Sequence, residues 1–330
     1  MDLNRPYAIV PTVLQEMLSA RERIDASKAA PRPEKADAQM DFSGGVAIVP
    51  VTGILTKHPT IWGRIFQETV TGDVEQDLRT ALSLPAVKAV ILAIDSPGGG
   101  IDGTAELASF IYKARGGKPI VAWTDGRMAS AAYWIGSAAD QVFISGDTVQ
   151  VGSIGIVAAH RDVSGAEARL GVKTTEVVAG RYKRIASSYA PLTEEGRGAF
   201  QEAVDYIYSA FVGDVARFRG VSEDVVLARM ADGKVFYGKQ AIEAGLADGV
   251  TTLEALVSRL AAGAAPKASG ADVRAESGPL SPPAKPREKT FGELVDAYRA
   301  EKGCSHGEAI RKTVYAHPEA HERYLQELRG

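Results

Sequence analysis

The strongest constraint on this chain is the run Val87–Ile94 (VKAVILAI), apolar at every position but Lys88 and followed at once by Asp95-Ser96-Pro97-Gly98-Gly99-Gly100. A strand with one wet face alternates apolar and polar residues, so an almost unbroken apolar run of strand length reads as a strand buried on both sides. Such strands belong to parallel sheets whose crossover helices cover both faces. The rest of the central sequence agrees. Strand-length apolar runs at 46–51, 119–124, 141–144, 154–158 and 175–179 alternate with helix-period segments at 74–84, 104–114, 130–139 and 193–219. In the last of these, Phe200, Ala203, Val204, Ile207, Phe211 and Val215 recur at three- and four-residue steps, and Gly220 is placed to close the helix. The expected fold is α/β, a core of parallel strands wrapped by helices. No internal repeat is visible.

The ends read differently. Residues 1–24 have Val13, Leu14, Met17 and Leu18 on one helical face, and 25–41 are polar and rich in Ala and Pro. The expected organisation is an N-terminal helix and flexible arm over 1–41, the α/β domain over 42–260, a disordered Ala/Pro/Gly/Ser-rich linker over 261–290, and a small helical tail over 291–330. Leu294, Val295, Tyr298, Ile310 and Val314 are the tail's apolar positions.

A net charge of −3 gives no reason to expect nucleic acid or an anionic membrane as partner. The single cysteine, Cys304, excludes an internal disulfide and a cysteine-based zinc site. No apolar run reaches the roughly 18 residues that span a bilayer, and the N-terminus does not read as a secretion signal. The expected location is the cytoplasm.

Two segments carry potential chemistry. Gly98–Gly100 follow the buried strand at its C-terminal end, the edge where open α/β sheets bind ligands. Glycines there make a tight turn to the next helix, or let backbone N–H groups approach a substrate as half of an oxyanion hole or a cradle for an extended peptide. A Walker loop is excluded, because no Lys-Ser/Thr follows. Ser130, in Gly126-Arg127-Met128-Ala129-Ser130-Ala131-Ala132-Tyr133, sits among small residues at a helix start. It reads either as an N-cap or as a nucleophile helped by the helix dipole. A nucleophilic serine needs a base. Of His58, His160, His306, His317 and His321, only His160 lies within the α/β region after Ser130. A lysine also serves when its surroundings favour the neutral amine. Lys183, in Gly180-Arg181-Tyr182-Lys183-Arg184 after the run 175–179, reads as that base or as an ordinary surface charge.

Taken together, DSPGGG at 95–100, GRMASAAYW at 126–134, VGSIGIV at 151–157, LGVKTTEVVAGRYK at 170–183, FVGDVARFRG at 211–220 and FYGKQAIEAGLADGV at 236–250 resemble the signal peptide peptidase (SppA) family of serine–lysine proteases. The branch they most resemble is the head-maturation proteases of tailed phages and prophages. The resemblance covers about residues 44–258 and implies a ClpP/crotonase-like fold. It implies Ser130 as nucleophile, Lys183 as general base, and the amides of Gly99 and Ala131 as oxyanion-hole donors. Ser153 and Gly98 take supporting places, and no metal or organic cofactor is implied. The family usually has glycine after the nucleophile, where this chain has Ala131; alanine still offers an N–H. The resemblance further implies a homo-oligomer in which Lys183 reaches Ser130 of a neighbour, with a phage scaffold or portal protein as possible partner. Two rivals share the fold: a ClpP-like peptidase with His160 as base, and a crotonase-type acyl-CoA protein or non-catalytic scaffold.

Overall fold

The computed structural model describes residues 6–16, 40–60, 67–264, 294 and 297–300. Its centre is a six-stranded sheet in the order Gly249–Val250, Gln141–Ile144, Ile120–Thr124, Ala89–Asp95, Val46–Thr52, Asp41–Ser43. Neighbours run parallel, except that Asp41–Ser43 lies antiparallel on Val46–Thr52. The architecture is the mixed α/β, parallel-strand fold that the apolar runs imply. Ala89–Asp95 is central and buried on both sides: Val90, Leu92 and Ile94 join one apolar cluster, Ala89 and Ile91 another. Helices Thr71–Ser83, Thr104–Ala114 and Ala131–Ser137 cover the first face with Val74, Leu78, Leu107, Ile111 and Ile135. Helix Leu253–Ala261 covers the second, placing Leu256 and Leu260 against Ile91, Trp123 and Phe143. Each such fully buried aliphatic side chain is worth roughly 1.5–3 kcal/mol relative to exposure.

Successive parallel strands share a further habit. Val46–Thr52, Ala89–Asp95, Ile120–Thr124 and Gln141–Ile144 are each followed by a short strand that leaves the central sheet before the next helix: Ile54–Thr56, Gly98–Gly100, Arg127–Ala129 and Gln150–Gly152. The short strands build two smaller sheets. One runs Tyr7–Ile9, Gly98–Gly100, Ile54–Thr56, Glu68–Val70; the other runs Val235–Tyr237, Gln150–Gly152, Arg127–Ala129. The unit recurs in space without a sequence repeat, because burial pattern and turn chemistry recur while side-chain identity need not.

Helix Glu194–Arg219 is capped at both ends, at its C-terminus by the expected Gly220. Thr193 Oγ1 accepts from the Gly196 N–H at 3.0 Å, and Gly220 turns left-handed at φ 65°. Only its second half is built into the core, through Phe211, Val212, Val215, Ala216 and Phe218. Phe211 stacks on Trp134 at 4.3 Å. Arg219 anchors the end, forming a two-pronged ion pair with Asp248 at 2.7 and 2.9 Å while also donating to Gly245 O. In the first half Ala203 is exposed, and Phe200, Val204 and Ile207 are only half-buried.

Three local expectations give way. Residues 175–179 form no strand: Thr175, Val177, Val178 and Ala179 are exposed, and no strand pairs with them to reward their β-branched pattern. Of 154–158, only Val157 makes a bridge, to Tyr7. The N-terminal segment is not helical throughout, since Tyr7–Ile9 is a strand and helical residues follow at 11–16. Met17, Leu18 and the arm through 39 lie outside the described residues, as do the expected linker beyond 264 and most of the expected tail, of which 294 and 297–300 are helical.

Candidate active site

The turns that follow neighbouring parallel strands are stitched together by backbone hydrogen bonds. The Ser96 N–H donates to Arg127 O at 2.7 Å, and the Ala129 N–H to Ser96 O at 3.2 Å. The Ser130 N–H donates to Gly152 O at 2.7 Å, and the Ser153 N–H to Lys234 O at 2.7 Å. Segments 95–100, 126–131 and 150–153 therefore meet at the C-terminal edge of the sheet, where side chains and loops converge on a ligand. Two side chains hold the turns. Asp95 Oδ1 accepts the Arg127 N–H at 3.1 Å, and Ser96 Oγ, wholly buried, accepts the Gly98 N–H at 3.1 Å.

Ser130 occupies the centre of this edge. It stands immediately before helix Ala131–Ser137, but its hydroxyl does not cap that helix. Its φ of 58° with ψ −124° lies where glycine is at home and other residues are strained by about 1–3 kcal/mol. The residue is 0% exposed, and Oγ has no hydrogen-bond partner among the described residues. A buried hydroxyl left unpaired costs roughly 1–3 kcal/mol. Strain and an idle buried hydroxyl together do not describe an N-cap. The next residue, Ala131, is also buried, and as the first helical residue its N–H has no acceptor within the helix.

The glycine loop supplies the facing wall. Gly98–Gly100 is a short strand rather than a bare turn, paired with Tyr7–Ile9 on one side and with Leu55 on the other. Gly98 must be glycine. Its φ is +97°, and a Cβ there would lie 2.9 Å from Ser130 Cβ and 2.3 Å from Ala8 O. At Gly99 a Cβ would come within 2.1 Å of Leu55 O. Ser153, also strained at φ 53° and buried, follows the strand that bonds Ser130.

Lys183 is not part of this assembly within one chain. It lies exposed in the 3₁₀ turn Arg181–Arg184, and no strand precedes it. Its flanking arginines are neutralised: Arg181 Nε reaches Glu195 Oε1 at 2.7 Å, and Arg184 Nε reaches Glu176 Oε2 at 2.8 Å. The surrounding arm, about 161–210, exposes Leu170, Val172, Val177, Val178, Tyr182, Tyr189 and Tyr206, with Val177 at 95%. His160 belongs to the arm too, its Nε2 against Ser187 O at 2.8 Å, so the structure gives it no contact with Ser130. Among the described residues, no group of three or more His, Cys, Asp or Glu could hold a metal ion, and no helix is long and apolar enough to cross a membrane.

Two parts of the site escaped the sequence reading. Ser96 sits inside the glycine motif, but its role in fixing Gly98 depends on burial. The strand Tyr7–Ile9 had a usable signal, a four-residue apolar run bracketed by Pro6 and Pro11, which breaks helix periodicity.

Comparison with known proteins gives the same direction. The profile of peptidase family S49 matches residues 113–267. The chain is 34% identical over 218 residues to the head-tail preconnector protein GP5 of Enterobacteria phage P21, covering 66% of this chain and 43% of that protein. It is 31% identical over 204 residues to the capsid assembly protease C of Escherichia phage lambda, covering 62% and 46%. Over 222 residues it is 28% identical to Protease 4 of Salmonella typhi, covering 67% and 35%. The chain thus spans about half, or less, of the length of these relatives.

Proposed function

We propose, from the match of residues 113–267 to the profile of peptidase family S49, that this chain is a serine endopeptidase with Ser130 as nucleophile and Lys183 of a neighbouring copy as general base. The observation that carries the reading is Ser130 itself: a fully buried, unpartnered hydroxyl on a strained backbone, beside a glycine strand and a helix N-terminus. The neutral amine of Lys183 takes the proton from Ser130 Oγ as that oxygen attacks a peptide carbonyl carbon. The amides of Gly99 and Ala131 receive the oxyanion, each such donor being worth about 2.7–4 kcal/mol in the transition state. Gly98 leaves room for the tetrahedral centre, and Ser153 orients the lysine. Lys183 then returns its proton to the leaving amine, and water hydrolyses the acyl-enzyme by the same route in reverse.

The neighbouring copy enters for a physical reason. Lys183 lies on an arm whose Val177, Leu170 and Tyr206 are left in water, the kind of exposed apolar surface that a second copy buries. Small residues around Ser130 favour small side chains before the cut bond. The likeness to phage assembly proteins favours a scaffold or portal protein in the host cytoplasm or prohead as substrate and partner. The test is complementation: Ser130→Ala and Lys183→Ala chains, each inactive on peptides, are refolded together. Mixed oligomers pair some intact Ser130 with intact Lys183, and part of the activity returns. Mixed oligomers that form and stay inactive would place the dyad elsewhere.

A further inference from the structure

The groove beside Ser130 is already filled by the chain's own N-terminal segment. Tyr7–Ile9 lies antiparallel on Gly98–Gly100, with Ala8 opposite Gly99. On its other side, Tyr7 exchanges both backbone hydrogen bonds with Val157, at 2.8 and 2.9 Å. An extended segment held on both edges by main-chain bonds is the way β-sheet grooves take peptides. The register is informative. In an antiparallel strand, consecutive residues turn their N–H and C=O to opposite sides. Tyr7 faces Val157, and the Val10 N–H donates to Pro97 O at 3.1 Å. Ala8 therefore turns its carbonyl oxygen to the Gly99 N–H. One point fixes where that oxygen lies: a Cβ on Gly98 would be 2.3 Å from Ala8 O and 2.9 Å from Ser130 Cβ, so those two atoms are no further apart than the two distances combined. The Ala8 side chain is small and 0% exposed.

We infer that Tyr7–Ile9 occupies the peptide groove as a substrate would, with Ala8 in the position before the scissile bond, and that this segment competes with incoming substrate. The inference rests on Ser130 being the nucleophile of the proposed function. While the strand is seated, no other extended chain can bond Gly98–Gly100 and Val157. Of the side chains that pin it, Ile9 and Leu14 pack with Ile54 in a small cluster apart from the main core, while Ala8 belongs to the main cluster, so the segment leaves by withdrawing a single methyl group from it. A tethered occupant reduces the apparent affinity for free peptide by the fraction of time the groove is open.

The test uses the full chain carrying Ser130→Ala, with a fluorescein-labelled synthetic peptide of its own residues 5–12 as probe, read by anisotropy. Ala8→Asp places a carboxylate where no water reaches and expels the strand. Tyr7→Pro is milder: it removes the N–H that bonds Val157 O together with the phenol ring, and leaves Ala8 as it is. Either variant is expected to bind the probe about tenfold more tightly than its parent, the effect of freeing a mostly occupied groove. Should Ala8→Asp fail to fold, Tyr7→Pro decides the matter. Unchanged affinity in a variant that still melts cooperatively overturns the inference. The same variants with Ser130 intact separate the two readings. Tighter binding with no hydrolysis anywhere sinks the peptidase, and with it the placing of Ala8 before a scissile bond, but keeps the strand as a competing occupant of the groove; hydrolysis with unchanged probe affinity keeps the peptidase and sinks the plug.

Discussion

Ser130 bears two local costs at once, a positive-φ backbone and a buried hydroxyl with no partner among the described residues. Neither is needed to start a helix, since a serine with extended backbone does that better. The costs predict an unusual mutational sign. Ser130→Gly should raise stability by about 1 kcal/mol or more, because glycine accepts φ 58° and removes the idle hydroxyl. Ser130→Ala should raise it less, by about 1 kcal/mol, because it removes the idle hydroxyl but keeps the strain. Both should abolish peptide hydrolysis. Chemical denaturation beside a peptide assay reads this; a Ser130→Gly chain less stable than wild type would show that the backbone there is not strained.

At the scale of elements, the site depends on turns that are fastened to one another rather than on any single loop. Ser96, Asp95 and the backbone bonds to Arg127 and Gly152 set the positions of Gly98 and Ser130 to within a hydrogen bond. Behind them, helix Ala131–Ser137 is gripped by helix Glu194–Arg219 through Trp134, which stacks on Phe211 and donates to Asp214 at 2.9 Å. The far end of that long helix is fixed by Arg219 to Asp248, whose side chains are 5% and 10% exposed. Replacing one partner leaves a buried charge without compensation. Asp248→Ala should therefore cost about 3–5 kcal/mol, measured by urea denaturation. A loss below 1 kcal/mol would mean that water reaches the guanidinium.

For the whole molecule, Ser130 is buried at the edge of the packed sheet and Lys183 lies on an exposed arm. A side chain such as Val177, 95% exposed in one chain, makes sense when a second copy covers it. Val177→Glu should leave the melting temperature of the single chain unchanged but weaken assembly, because an unpaired carboxylate in an apolar interface costs several kcal/mol. Light scattering after size-exclusion chromatography, with peptide hydrolysis in parallel, checks it. Oligomers and activity that both survive would move the interface off the arm.

The sequence by itself determined the parallel sheet, the order of its strands along the chain, and the two glycine- and serine-bearing turns at its C-terminal edge. These follow from local signals: a doubly buried strand needs the apolar run 87–94, and the tight turn needs Gly98. The C-cap of helix Glu194–Arg219 was legible in the same way, from Gly220. What only the tertiary structure decided is which surfaces meet. Residues 175–179 have strand composition but pair with no strand, so they stay exposed and lead into the exposed turn that carries Lys183. Residues 7–9 have a weak local pattern, yet they find two open strand edges, at Gly98–Gly100 and Val157, and become a strand there. Backbone pairing depends on the neighbour a segment finds, and that neighbour lies some ninety to one hundred and fifty positions away along the chain.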